Sequence, residues 1–198
     1  MIGRQVARTQ NWRNVVVLAV TAIVILATVW AVQAWGPFAA DQSGGTPSVA
    51  SAADAPRVGD VAADFTGTTL DGQEIVLSKL RGKPIWLVFG ATWCANCRAE
   101  APDVAQVAHD YAGRAEVVSV YTGESVQTVG EYAGRLGLTY PQLPDPGKQI
   151  AAAYRVMGIP AHFFIDANGV IRSIRVGTIS PTDAAGELDV LLKEETGG

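Results

Sequence analysis

Cysteine is scarce in this chain. Only Cys94 and Cys97 occur in 198 residues. That is too few for a disulfide-stapled scaffold and at most half of a four-cysteine zinc site. The two histidines, His109 and His162, both lie well beyond Cys97, so no metal site is expected. Charge is scarce too: Asp, Glu, Lys and Arg make up 17% against 48% hydrophobic residues. Mean hydropathy is positive, which places part of the chain outside water. No acidic residue precedes Asp41, whereas Arg4, Arg8 and Arg13 do. The remainder is therefore more acidic than the formal net charge of −4 conveys. That balance argues against a nucleic-acid partner, which needs clustered Lys and Arg to neutralise phosphates.

What the N-terminus does contain is an apolar run. No charge occurs from Asn14 through Ala40, and Val15 to Trp35 is interrupted only by Thr21, Thr28 and Gln33. At ~1.5 Å per residue such a helix spans about 30 Å, the thickness of a bilayer core. The expected organisation is a cytoplasmic tail (1–14), a transmembrane anchor (15–35), a flexible linker rich in Ala, Ser, Gly and Pro (36–56) and a folded domain (57–198). The arginines hold the tail inside, so the folded domain is expected outside the cytoplasm as part of a single-pass membrane protein. A signal peptide cleaved after Val32-Gln33-Ala34 is the alternative, but the run exceeds the ~7–15 apolar residues of such a segment.

Beyond the linker the elements alternate. Ala63–Thr66 and Glu74–Leu77 read as short strands joined through Asp71-Gly72, a hairpin signal. Pro84 to Ala91 is continuously apolar, as a strand buried on both faces should be. Helical spacing follows to about Ala112, with Pro102 predicting a kink. Glu116–Tyr121 reads as a strand. Ser125–Leu136 reads as a helix with Ser125 at its N-cap and Gly137 at its end. Gly147–Tyr154 reads as a short helix. His162–Asp166 and Val170–Val176 form a second hairpin through Asn168-Gly169. Ser180 and Pro181 open a last helix. The order β-β-β-α-β-α-α-β-β-α implies an α/β sandwich, with parallel crossovers first and an antiparallel hairpin closing the sheet.

The two cysteines stand where the apolar strand meets the helix, as Trp93-Cys94-Ala95-Asn96-Cys97. Unpaired N–H groups and the helix dipole favour a thiolate on Cys94. Cys97, three residues on, shares its helical face and can close a disulfide with it. Cys94 is expected to attack a partner's disulfide and Cys97 to resolve the product. Trp93 would shield one side of the sulfur. Glu100, one turn beyond Cys97, reads either as a proton-exchanging carboxylate beside the thiols or as a solvated helix residue. Ile159-Pro160 precedes a strand and is a candidate cis bond in a turn facing the dithiol. His162 reads as a satisfied polar strand residue sooner than a catalyst. Cys-X-X-Cys followed by Arg98 instead of His argues against covalent haem.

Together these residues resemble the thioredoxin superfamily over roughly Arg57 to Glu195. Pro102 matches the helix-kinking proline, and Gly158-Ile159-Pro160 the cis-proline loop. Within the superfamily the chain is most similar to membrane-anchored TlpA/ResA-type thiol–disulfide oxidoreductases with a redoxin domain. That similarity rests on Leu70-Asp71-Gly72, Gly123-Glu124-Ser125, Tyr140-Pro141 through Asp145, and Phe163 through Gly169. It implies a thioredoxin-like three-layer sandwich with an N-terminal β-hairpin extension, preceded by one transmembrane helix. It implies a cofactor-free enzyme that reduces protein disulfides outside the cytoplasm, apocytochrome c among them, and that is recharged by a membrane electron-donor protein. It gives Glu100 the place of an active-site glutamate, and assigns Trp93, Ile159 and Pro160 to substrate binding. The sequence departs from relatives at three positions. Val88 stands where ordinary thioredoxin buries an acid, Ala161 where some relatives carry glutamate, and His162 where a small hydroxyl residue is frequent. Two other readings stay open. A thiol peroxidase wants Thr-X-X-Cys, and Thr92-Trp93-Cys94 is one residue short. A tethered partner-binding module would make the redox chemistry secondary.

Overall fold

The apolar run ahead of the cysteines forms the middle strand of a five-stranded sheet. The computed structural model describes residues 14–28, 48–49 and 55–196. Residues 14–28 are helix α1. The following elements are β1 (Ser48–Val49), β2 (Phe65–Thr68), β3 (Glu74–Val76), a 3-10 turn (Leu77–Leu80), β4 (Ile85–Gly90), α2 (Ala95–Asp110), β5 (Glu116–Thr122), α3 (Val126–Leu136), β6 (Gln142–Asp145), α4 (Gln149–Ala153), β7 (Ala161–Ile165), β8 (Ile171–Val176) and α5 (Pro181–Thr196). Two compact units divide the chain, Met1–Ser43 and Gly44–Gly198.

In the second unit the large sheet has the order β6-β5-β4-β7-β8. Strand β4 lies parallel to β5 and antiparallel to β7, and β5 lies parallel to β6. Side chains alternate across a strand, so the continuous run Ile85–Phe89 serves two cores at once. Ile85, Leu87 and Phe89 join Val118, Val120, Phe163 and Ile165 on the face covered by α4 and the first hairpin. Trp86 and Val88 join Val117 and Phe164 on the opposite face, under Val104 and Val107 of α2, Tyr111 at its C-terminal cap, and Leu188 and Leu191 of α5. Trp86 stacks on Phe164 at 5.5 Å. This is the thioredoxin-like α/β sandwich that the sequence implies.

The N-terminal hairpin is present, shifted two residues along in β2. Its turn carries Gly72 at φ 82, a conformation that side chains with a Cβ resist. Val49 and Ser48 pair with Phe65 and Thr66, so the stretch expected to be a linker contributes a short third strand. One further detail departs from the sequence reading. Gln142–Asp145, read without secondary structure, is the edge strand β6. Proline is tolerated there because an edge strand has only one partner to satisfy, and Pro144 lies opposite Tyr121 of β5. The described part of helix α1 spans about 22 Å at ~1.5 Å per residue. Among the described residues no helix is long and apolar enough to cross a membrane. Positions 29–35 of the expected anchor, the tail 1–13 and most of the linker lie outside the described residues.

Helix ends follow the capping residues. Ser125 Oγ accepts the Thr128 N–H, and Gly137 closes α3 in the left-handed region at φ 63. Ser180 Oγ accepts the Asp183 N–H at the start of α5. Pro102 lies inside α2.

Candidate active site

Strand β4 ends at Gly90, and four residues later Cys94 caps helix α2. The Cys94 side chain accepts the N–H of Cys97 at 3.3 Å. The first cysteine sulfur therefore satisfies one of the donors that a helix N-terminus leaves open. Both cysteines are free thiols. Strand β4 runs directly beneath the second one: a Cβ on Gly90 would lie in ordinary contact, 3.5 Å from Cys97 Cβ and Sγ.

Two side chains fix the turn that carries the dithiol. Glu124, two residues past the end of β5, accepts the Thr92 N–H at 2.7 Å and the Thr92 hydroxyl at 2.5 Å. Arg98 donates to the carbonyls of Trp93 at 2.8 Å and Thr92 at 3.2 Å. Trp93 is left 68% exposed. Across from it, the Ile159–Pro160 bond is cis. The Ile159 carbonyl lies 3.9 Å from Cys94 Sγ, within reach of its S–H.

Glu100 falls on the same face of α2 and is buried at 3% exposure. Its Oε1 accepts the Ile179 N–H at 2.6 Å and lies 3.4 Å from His162 Nε2 on β7. Burial pushes the Glu100 carboxyl up to about 7, Ile179 pulls it back in part, and Asp103 adds repulsion. Burial also pushes the Cys97 thiol up to about 12, helped by its contact with Cys94 and by the nearby Glu100 carboxyl. His162 is driven the other way, down to about 4, because burial disfavours its cation. Cys97, Glu100 and Pro160 line one small cavity of about 20 Å³ with Tyr121, Tyr132 and Tyr140, room for about one water. A wider groove of about 650 Å³ between β8 and α5 contains neither cysteine. Among the described residues, no group of three or more His, Cys, Asp and Glu side chains is placed to hold a metal ion.

Every side chain singled out from the sequence thus lies at this end of the sheet. Cys94, Cys97, Ile159 and Pro160 come together, with Glu100 behind Cys97 and Trp93 on the rim. Reading the sequence did not single out Arg98 or Ile179. It quoted Glu124 and Tyr140 without a role, and gave no hint that His162 and Glu100 touch.

The AhpC/TSA family model matches residues 58–174, which includes the dithiol, Glu100 and the cis-proline. The chain belongs to the AhpC/TSA family. It is 38% identical over 136 residues to the thiol-disulfide oxidoreductase ResA of Geobacillus kaustophilus, covering 68% of this chain and 78% of that one. Among solved structures it is similar to a thioredoxin-family thiol:disulfide interchange protein from Chlorobium tepidum. That match has 30% identity, a TM-score of 0.60, and covers 72% of this chain and 99% of the other. It is also similar to a secreted disulfide oxidoreductase of Mycobacterium tuberculosis described as homologous to E. coli DsbE. There the identity is 31% and the TM-score 0.58, with 64% and 96% covered. With such relatives and a Cys-X-X-Cys pair at a helix N-terminus, this family member is a thiol–disulfide oxidoreductase.

Proposed function

We propose that the chain reduces protein disulfides outside the cytoplasm, held at the membrane by its N-terminal apolar segment. The observation that carries the chemical reading is the placement of Cys94 Sγ at the N-terminus of α2, with Cys97 and the buried Glu100 stacked behind it. Cys94 attacks one sulfur of the substrate disulfide as a thiolate. A Cys94–substrate disulfide forms and the other substrate sulfur leaves as a thiolate. Cys97 then passes its proton to the Glu100 carboxylate and attacks Cys94 Sγ. The second substrate thiolate leaves, and two electrons have moved from the dithiol to the substrate. The partition of roles follows the burial. Cys97 is held as a thiol in part by Cys94, and that hold falls away once Cys94 is tied into the mixed disulfide. Glu100, near neutrality, is the acceptor in reach. Trp93 and the Ile159–Pro160 turn flank the substrate segment that carries the attacked disulfide.

A charge-free run from Asn14 to Ala40 behind three arginines supports the location, as does similarity to a protein described as secreted. The substrate class we propose is a cysteine pair in an extended polypeptide, apocytochrome c being the case that the family resemblance implies, with a membrane protein returning the electrons. Two measurements test the proposal. Cys97→Ser should accumulate mixed disulfides on Cys94, and the trapped polypeptide names the substrate. The reduction potential of the pair should lie toward the reducing end of the range of about −270 to −120 mV spanned by related dithiols. A potential near −120 mV sinks the reductase reading.

A further inference from the structure

We infer that His162 is the positioning residue for Glu100: its Nε2–H is held where the carboxylate forms, and so governs how readily Glu100 takes the proton of Cys97. The inference rests on the reading above that Glu100 serves Cys97 as base. His162 is fully buried on β7, paired with Val88 of β4 on one side and packed against Trp86 at 5.9 Å; on the other side it pairs with Arg175 of β8, whose guanidinium is held by Glu187. A polar ring in such a layer is costly unless it is hydrogen-bonded.

The surroundings fix its tautomer. Nε2 lies 3.0 Å from the Gly177 carbonyl, which can only accept. Nε2 must therefore carry the hydrogen. Nδ1 has no partner, so a hydrogen placed there would be stranded, whereas a bare nitrogen costs less. Burial keeps the ring neutral. Glu100 Oε1 lies 3.4 Å from the same nitrogen, so the hydrogen that binds the carbonyl has the carboxyl as a near second acceptor. With neither group charged this is no ion pair, and the hydrogen stays on the Gly177 carbonyl. When Glu100 ionises, its oxygen becomes the stronger acceptor and draws that hydrogen.

Few other groups compete for the role. Glu100 is faced by Cys97 and Asp103 from α2, by Tyr121 of β5, Tyr132 of α3 and Tyr140 ahead of β6. Asp103 repels the carboxylate. The donor bonded to Oε1 is the Ile179 N–H, and the second one within reach is His162 Nε2–H. Removing His162 therefore leaves the carboxylate one donor, and ionisation becomes harder.

The test is a titration of Glu100 in the reduced full-length protein, followed by the NMR signal of ¹³C-labelled glutamate carboxyls and assigned with Glu100→Gln. His162→Leu should move the Glu100 midpoint up by about one pH unit. At pH 6 it should slow resolution of the mixed disulfide by about tenfold. His162→Gln keeps an N–H donor on a planar side chain and should bring the midpoint back most of the way. If the leucine variant fails to fold, His162→Met replaces it in the comparison. A midpoint unchanged in the apolar variant overturns the inference. So does an equal shift in the glutamine and apolar variants, which would make the effect one of packing. A restored titration in a protein that reduces no disulfide supports the His162–Glu100 coupling and sinks the reductase reading instead.

Discussion

Replacing Glu100 by glutamine should tilt the dependence of stability on pH in a direction set by two opposed groups. In the folded protein the Glu100 carboxyl is raised from 4.5 to about 7. A raised carboxyl contributes fully below its unfolded value and loses that contribution as pH climbs through its folded value. At ~1.36 kcal/mol per pH unit, this burial costs the fold about 3 kcal/mol by the time Glu100 is ionised. His162 works in the opposite sense. Its folded value is lowered from 6.5 to about 4, so its contribution is complete above pH 6.5 and is lost as pH falls toward 4. That swing is again about 3 kcal/mol. Between pH 4.5 and 6.5 the two slopes nearly cancel in the native sequence. Glu100→Gln removes only the first. Urea unfolding of both proteins at half-unit steps from pH 4 to 8 gives two profiles. Their difference cancels the carboxylates they share. The variant should gain on the native protein steadily from about pH 4.5 to 7, by up to about 3 kcal/mol, then hold level. Parallel profiles would refute the claim that burial holds Glu100 near neutrality. So would a variant that loses ground on the native protein as pH rises toward 4.5, since that marks a carboxyl held below its ordinary value.

Further expectations can be checked by melting and activity. Glu124→Ala strips both acceptors from Thr92 and should cost about 1.5–3 kcal/mol. It should also slow attack by Cys94, because the turn before it loses its clamp; an unchanged melting temperature with unchanged insulin reduction would remove Glu124 from the site. Gly67→Ala places a Cβ against the Leu143 side chain, where the first hairpin crosses the large sheet, and should cost about 1–3 kcal/mol by overpacking, read as a lowered urea midpoint. Asp145 is fully buried and accepts the N–H groups of Gln149 and Ala151 at the start of α4. Asp145→Ala leaves both donors without their acceptor and should cost about 2 kcal/mol or more, measured by the same unfolding. Cys94→Ala should abolish disulfide reduction with the fold intact; peroxide consumption that needs Cys94 would favour the thiol peroxidase instead.

The parts of this fold that could be read from sequence are those whose signal is local. The run through Leu87 and Phe89 announces a strand whatever surrounds it. Ser125 and Gly137 bracket α3 through their own backbone bonds, and Asn168-Gly169 turns a hairpin by itself. What could not be read depends on partners far along the chain. Strand β6 carries Pro144 and is a strand only because β5 offers a parallel edge to it. Strand β1 is two residues long and exists through its pairing with Phe65 and Thr66. The site divides the same way. Cys94 and Cys97 are visible from their spacing at a strand-to-helix junction. Glu100 is visible from helical periodicity as a neighbour of Cys97, but whether it is solvated or buried is decided by α2 lying over β7. That same packing brings His162 within 3.4 Å, across a gap in sequence that no periodicity spans. The consequence is chemical. Burial holds Cys97, Glu100 and His162 towards their neutral forms, Cys97 and Glu100 by raising them and His162 by lowering it. A proton leaving Cys97 inside such a pocket needs an acceptor that is also inside, and whose affinity for it lies near the working pH. Cys-X-X-Cys by itself supplies no such group; the fold places one beside it, a single glutamate buried far enough to reach neutrality, with the Ile179 N–H on its Oε1 and His162 Nε2 3.4 Å away.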